Sequence, residues 1–281
     1  MYKIVKKRVL NQQMTLLRID APHIAKKALP GQFIIIRIDE LGERVPFTIA
    51  AYDGEQGTID IIYQTVGYST KLLDTLNQGD YILDVVGPLG KASELEGYKN
   101  AVVVGGGTGC AIALPQAKAL KELGANVTMV AGFRNKDIII LEDEMKDASN
   151  QLVIMTDDGS NGNKGFVTGA LKDILDNDKT VDFVIAIGPL PMMKAVCDLT
   201  KEYGIKTIVS MNSIMIDGTG MCGGCRVTVG GEIKFACVDG PDFDGHLVDF
   251  DEAIKRGRMY VDQERAANEH TCRLTGDKHN G

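Results

Sequence analysis

From residue 99 to residue 210 short apolar runs alternate with helical stretches, and this alternation constrains the fold more than any other feature. Residues 101–104, 127–132, 152–156, 183–188 and 207–210 are continuous rather than alternating apolar runs. Residues 110–123, 141–148, 170–175 and 192–203 read as helices between them. Strands that are apolar on both faces and joined through helices form a parallel sheet covered on both sides. The expectation is a five-stranded parallel α/β domain over 99–210.

The segment before it, 1–98, reads as β. Residues 34–36, 58–62 and 81–86 are β-branched runs bounded by Pro30-Gly31, Asp53-Gly54, Gln78-Gly79-Asp80 and Gly87-Pro88-Leu89-Gly90. Short strands at this spacing predict an antiparallel barrel, with a short helix over 69–77. The segment after it, 211–281, is rich in Gly, Cys and Asp up to residue 244. It should hold a hairpin of 226–229 and 233–236, a helix over 250–257 and a polar tail over 271–281. So little apolar content cannot build a large core, and such a piece needs a metal or a disulfide. A chain of 281 residues then divides into a barrel (1–98), an α/β domain (99–210) and a small lobe with its tail (211–281).

Charge and composition remove several functions. Lys and Arg number 31 against 38 Asp and Glu, a net charge of −7. That argues against a nucleic-acid partner, which needs a basic footprint. Apolar runs such as 138–141 fall far short of the roughly 18 residues of a membrane span. The basic stretch 1–11 is not followed by the apolar run of a signal peptide. A cytoplasmic protein is expected. Its six cysteines are too few for a disulfide scaffold and should be reduced or bound to metal.

Val104 leads into Gly105-Gly106-Gly107-Thr108-Gly109-Cys110 and then a helix. A strand, a glycine turn and a helix start form an anion site, because free N–H groups and the helix dipole point at one spot. The spacing is Gly105-x-Gly107-x-x-Cys110, so a small cysteine replaces the third glycine of the dinucleotide fingerprint. A tight turn without a ligand is the alternative. The later strands end in Gly132-Phe133-Arg134, Thr156-Asp157-Asp158-Gly159 and Gly188-Pro189-Leu190-Pro191, where open α/β sheets bind ligands. Arg134 and Lys136 lie where a 2′-phosphate would sit, or are solvated charges. No acidic residue ends the second strand; Asp137 and Glu142 lie beyond it. NAD(H) and NADP(H) both stay open.

The lobe contains Cys222-Gly223-Gly224-Cys225, and Cys237 follows. A plant-type [2Fe–2S] site uses Cys-x4-Cys-x2-Cys and a distant fourth cysteine. Four residues before Cys222, Asp217 takes the first place, so the frame is complete with one carboxylate. The many glycines suit a loop wrapped round an anionic cluster. Zinc on Cys222, Cys225, Cys237 and either Asp217 or His246 is the alternative. Cys110 and Cys197 read as core residues, and Cys272 beside His270 as incidental.

These motifs resemble, in matching order over nearly the whole chain, the ferredoxin-reductase-like family that includes the electron-transfer subunit of dihydroorotate dehydrogenase. Pro30-Gly31-Gln32-Phe33 resembles the turn into the flavin barrel's third strand. Arg44-Val45-Pro46-Phe47-Thr48 resembles the flavin segment, and Val66-Gly67-Tyr68-Ser69-Thr70 the phosphate turn. Within the family the chain looks closest to the small subunits of NADH-dependent reduced ferredoxin:NADP+ oxidoreductases, also called sulfide dehydrogenase beta subunits. There an aspartate replaces the first cluster cysteine, as Asp217 does here.

The resemblance implies FAD in the barrel, with Thr48 at the flavin's reactive edge, Phe47 against the ring and Arg44 on phosphate. Ser69 and Thr70, next to Gly67 at a helix start, would hold the FAD pyrophosphate. The broad pattern is Arg-x-Tyr-Ser/Thr; here the arginine stands one place earlier, Tyr is Phe and a proline intervenes. Without the resemblance, 44–49 reads as an edge strand. The function implied is an electron relay between NAD(H), FAD and a [2Fe–2S] cluster, to or from a larger flavin and iron–sulfur subunit, and through it ferredoxin. One alternative is the dihydroorotate dehydrogenase subunit itself. Another is a zinc-stabilised, non-catalytic binding protein.

Overall fold

The computed structural model describes residues 1–266. Cys272, His270 and the tail expected over 271–281 lie outside the described residues.

The first sheet has seven strands: β1 (Tyr2–Val9), β2 (Met14–Asp20), β3 (Phe33–Arg37), β4 (Arg44–Asp53), β5 (Thr58–Gln64), β6 (Tyr81–Ile82) and β7 (Asp84–Leu89). Their order is β6-β1-β2-β5-β4-β3-β7, and every pair is antiparallel. Helix α1 (Pro22–Ala25) follows β2, and α2 (Tyr68–Thr75) follows β5. The run expected as one strand over 81–86 breaks at Leu83. Its first part pairs with β1 and its second with β3, so one extended stretch reaches both sheet edges and nearly closes the barrel. Ile4, Leu17, Ile19, Ile34, Ile36, Ile49, Ile59 and Ile61 fill the interior. Each such side chain contributes about 1.5–3 kcal/mol on burial. Phe33 and Ile35 alternate with Ile34 and Ile36 and face the other way, into a core shared with the second sheet.

The second sheet holds β8 (Asn100–Gly106), β9 (Asn126–Phe133), β10 (Gln151–Thr156), β11 (Phe183–Ile187) and β12 (Lys206–Ser210). These five strands pair in parallel, as the apolar runs predict. Helices α3 (Gly109–Glu122), α4 (Glu142–Ala148), α5 (Val167–Asn177) and α6 (Leu190–Glu202) connect them. The order β10-β9-β8-β11-β12 reverses between β8 and β11, which is the switch point where such sheets bind ligands. A sixth, antiparallel strand joins beside β12, and it comes from the lobe.

The lobe holds the hairpin β13 (Arg226–Val229) and β14 (Glu232–Phe235), the edge strand β15 (Asp242–Asp244), and α7 (Phe250–Gly257). Composition predicts a piece too small to support itself, held together by metal. The structure shows a further support. Cys225, Val227, Ala236, Cys237, Phe243 and Phe250 lie in the same core as Val184, Val209 and Met211 of the sheet side. Among the described residues no helix is long and apolar enough to cross a membrane.

Candidate functional site

A cavity of about 1040 Å³ opens where the barrel, the second sheet and the lobe meet. Phe47, Thr48, Tyr63 and Thr70 wall it from the barrel. Gly106 to Gly109, Arg134, Asp157 and Gly188 wall it from the parallel sheet. Ser210 to Ser213 and Met215, with Pro241, wall it from the segment that leads to Asp217.

On the barrel side, β4 pairs with β5 only from Ile49 onward, so Arg44 to Thr48 have a neighbour only on the β3 side. That half is the edge its sequence suggests, and it accommodates Pro46, which has no N–H to donate. Phe47 meets the Tyr63 ring edge-on, with centroids 6.0 Å apart. The Tyr63 and Thr15 hydroxyls both donate to Asp74 Oδ1 at 3.0 Å, and the Lys7 ammonium donates to the Asp74 carbonyl. This network fixes α2 against the barrel. Burial and the Asp74 charge push the Tyr63 phenol up, so it stays protonated.

The turn expected to hold phosphate is built around Thr70. Thr70 lines the cavity, but its hydroxyl oxygen accepts the N–H groups of Val66 and Gly67 at 3.0 Å. It shapes the turn. Ser69 donates to Glu43 Oε2 at 2.8 Å and is not part of the cavity wall. Gly67 is likewise outside the wall. Arg44 also turns away: its Nε donates to the Ile216 carbonyl at 2.7 Å. Four residues from Thr48 along β4, Arg44 lies on the same face of the strand and is engaged there by a carbonyl of the segment that precedes Asp217.

On the sheet side, the glycine loop sits at the switch point. A Cβ on Gly109 would come 2.2 Å from the Ile187 carbonyl oxygen and 2.8 Å from Gly188 Cα, so only glycine lets α3 start against the end of β11. Gly105 is behind the cavity wall and in contact with Cys110. Cys110 is buried, with its thiol pushed up to about 12 by burial, as a core residue should be; burial does the same to Cys197. Lys136 is not in the wall; its N–H donates to Ser160 Oγ. Sequence reasoning misses Phe166, an aromatic that is 69% exposed at the cavity wall. It also misses Tyr63 and the 210–215 wall. Phe166 lies in a loop, where no periodicity marks it.

In the lobe, the Asp217 carboxylate accepts N–H groups from Thr219 (3.0 Å), Met221 (3.1 Å) and Cys222 (2.8 Å). The bonds from Thr219, first, and from Cys222 hold its carboxyl at about 2. Cys225 and Cys237 are buried with sulfurs 3.2 Å apart, well beyond the about 2.05 Å of a disulfide. The Cys237 N–H reaches the Cys225 sulfur, and the Gly224 N–H the Cys222 sulfur, both at 3.5 Å. Soft sulfur donors with backbone N–H groups on them suit an iron–sulfur cluster. The four side chains are not drawn into one group: among the described residues no three His, Cys, Asp or Glu are arranged to hold a metal ion. His246 is turned elsewhere, with Nε2 3.0 Å from Thr200 Oγ1, so it does not serve the zinc alternative.

Asp242 is a further group that sequence reasoning misses. Its Oδ2 accepts from Ser93 Oγ at 2.5 Å, while Oδ1 is enclosed without a partner. Burial pushes its carboxyl up, and the Ser93 and Ser210 hydroxyls only partly offset this. An unfolded aspartate ionises near about 4. Its contribution to stability is therefore complete below that pH and is lost as pH rises through the higher folded value. Asp242→Asn should remove this loss. Thermal melts should show the variant gaining about 2–4 °C per kcal/mol recovered at pH 8, with little gain at pH 4. An equal shift at both pH values would refute the account.

Residues 212–249 match the iron-sulfur cluster binding domain of dihydroorotate dehydrogenase B, and residues 103–198 match the oxidoreductase NAD-binding domain. The chain is 50% identical over 296 residues to an uncharacterized Clostridium beijerinckii protein of the adh 3′ region, covering 99% of this chain and 100% of that one. It is 48% identical over 275 residues to the Thermotoga maritima homolog of the dihydroorotate dehydrogenase B (NAD(+)) electron transfer subunit, covering 98% and 97%. A chain in the solved structure of NADH-dependent reduced ferredoxin-NADP oxidoreductase, described for flavin-based electron bifurcation, superposes with a TM-score of 0.91 at 48% identity, covering 96% of this chain and 98% of that one. The chain therefore belongs to the ferredoxin-reductase-like family of oxidoreductase electron-transfer subunits that includes the electron transfer subunit of dihydroorotate dehydrogenase B.

Proposed function

We propose that the chain is the NAD(H)-side subunit of a two-subunit, electron-bifurcating oxidoreductase of the ferredoxin:NADP+ type. One observation carries the reading. A single cavity is walled jointly by the open barrel edge, the glycine loop and the segment leading to Asp217. FAD, NAD(H) and a [2Fe–2S] cluster supply the hydride and single-electron chemistry when bound. The protein positions them within three units, 1–98, 99–210 and 211–281.

Phe47 and Thr48 present the barrel edge to the flavin. The Gly106–Gly109 amides and the α3 dipole face the nucleotide's anion, and Arg134, Asp157 and Gly188 complete that side. Phe166 offers an aromatic face for a base to stack on. Asp217, Cys222, Cys225 and Cys237 hold the cluster. A larger flavin and iron–sulfur subunit provides the second reaction and the route to ferredoxin. The setting is the cytoplasm, where Cys225 and Cys237 stay reduced despite their proximity.

The iron-sulfur domain matched over 212–249 favours a second reading, the dihydroorotate dehydrogenase electron-transfer subunit. Aspartate at the first ligand place weighs against it, and a partner with an orotate site would restore it. The visible spectrum of anaerobically purified protein tests the relay. Flavin bands and a reducible iron–sulfur shoulder are expected. NADH should bleach both, and NADPH is added separately for comparison. One zinc with neither iron nor flavin refutes the reading; no bleaching by either nucleotide removes the nucleotide assignment.

A further inference from the structure

We propose that Arg44 is a positioning residue for the cluster loop, and that β4 acts as a beam fixing the loop's place relative to the cavity. This rests on the relay reading above. Successive residues of a strand alternate between faces, so Arg44, Pro46 and Thr48 share one face of β4. Pro46 and Thr48 wall the cavity. Arg44 instead donates from Nε to the Ile216 carbonyl at 2.7 Å, and Ile216 immediately precedes Asp217. From Thr48 to Arg44 the strand advances by about 14 Å at roughly 3.4 Å per residue. One rigid element therefore touches the flavin end of the site and the start of the cluster loop.

A second contact seats the same loop on the same face. In the register of β3 and β4, Ile35 lies opposite Pro46. Gly218, next to Asp217, has φ +77, and a Cβ there would come 2.9 Å from Ile35 Cδ1 and 2.7 Å from Leu89 Cδ1. The loop thus lies directly on β3 and β7 while Arg44 holds it from β4. Arg37, opposite Arg44, is paired with Asp84 at 2.7 Å. Arg44 has no carboxylate within ion-pair distance among the described residues, so its charge is available to an anionic neighbour. A charged donor on a carbonyl is one of the stronger hydrogen bonds, and a loop tied at Ile216 and seated at Gly218 has little freedom to move Asp217.

The test uses the full-length holoprotein and Arg44→Ala, Arg44→Gln and Gly218→Ala. Flavin content, iron content, hydrogen exchange over 212–225 and the EPR spectrum of the dithionite-reduced cluster are measured. Arg44→Ala should keep its flavin. Exchange over 212–225 should rise by about tenfold, the scale of one hydrogen bond from a charged donor, and the EPR signal should shift or broaden. Arg44→Gln retains an N–H donor and should recover part of the protection. Gly218→Ala leaves the arginine in place and should loosen the same segment, which keeps the test decisive if one variant folds poorly. Loss of flavin with 212–225 and the EPR signal unchanged would make Arg44 a phosphate ligand and overturn the proposal. No change in any readout would do the same. Wild-type protein with neither iron nor flavin would end the relay reading, while the exchange measurement would still decide whether Arg44 ties the loop.

Discussion

Cys225→Ser should yield a folded protein that retains flavin but has lost its iron. Cys225 is buried against the Cys237 sulfur and accepts the Cys237 N–H. The ligand that iron–sulfur clusters use is the thiolate. A serine hydroxyl is harder and does not ionise at neutral pH, so iron per chain should fall by about tenfold or more. Loss of the cluster should not unfold the rest. The lobe's buried residues belong to the core of the parallel sheet, so the cost is that of a buried, poorly partnered hydroxyl, about 1–3 kcal/mol. The melting temperature should drop by several degrees with the flavin bands still present. Full iron in the variant would remove Cys225 from the ligand set, and zinc in place of iron in the wild type would remove the cluster.

Gly109→Ala should have the largest effect on nucleotide binding. The added carbon would lie 2.2 Å from the Ile187 carbonyl oxygen and 2.8 Å from Gly188 Cα. Both are backbone atoms, so no side chain can rotate to make room. The start of α3 must move away from β11, at the point where the N–H groups and the helix dipole converge. Forcing atoms into a packed site costs about 1–3 kcal/mol of stability. A displacement near 1 Å in a binding constellation costs on the order of a hundredfold in rate. Stopped-flow bleaching of the flavin by NADH, followed against NADH concentration, measures this. A variant that binds NADH as well as the wild type would show that the loop is only a tight turn.

The sequence reading succeeds where one physical signal acts alone. The strands of the parallel sheet are apolar on both faces, so their runs stand out, and α7 is found at residues 250–257 as expected. β1 is hidden because it has one fully buried side chain, Ile4, among lysines and an arginine. β15 is three residues long with only Phe243 buried, too short for any periodicity. In the candidate site, glycine spacing points to the loop because a close approach leaves a mark in the sequence. Arg44 and Ser69 take partners that no local pattern marks, Ile216 and Glu43, because those partners are distant in sequence. Asp242 is invisible in the sequence for the same reason: its hydrogen-bond partner Ser93 lies 149 residues away.

The edge strand β15 has a consequence for how such a chain can be cut or recombined. It covers the flank of β12 through Ile208, Val209 and Ser210. A chain ending at 210 would expose that row of unpaired backbone groups, together with the apolar side of Val209. Open, apolar strand edges recruit other chains. The lobe is therefore not a detachable cassette: any fragment or fusion that keeps the nucleotide-binding part must keep the cluster segment too, or supply its own cover for the exposed edge.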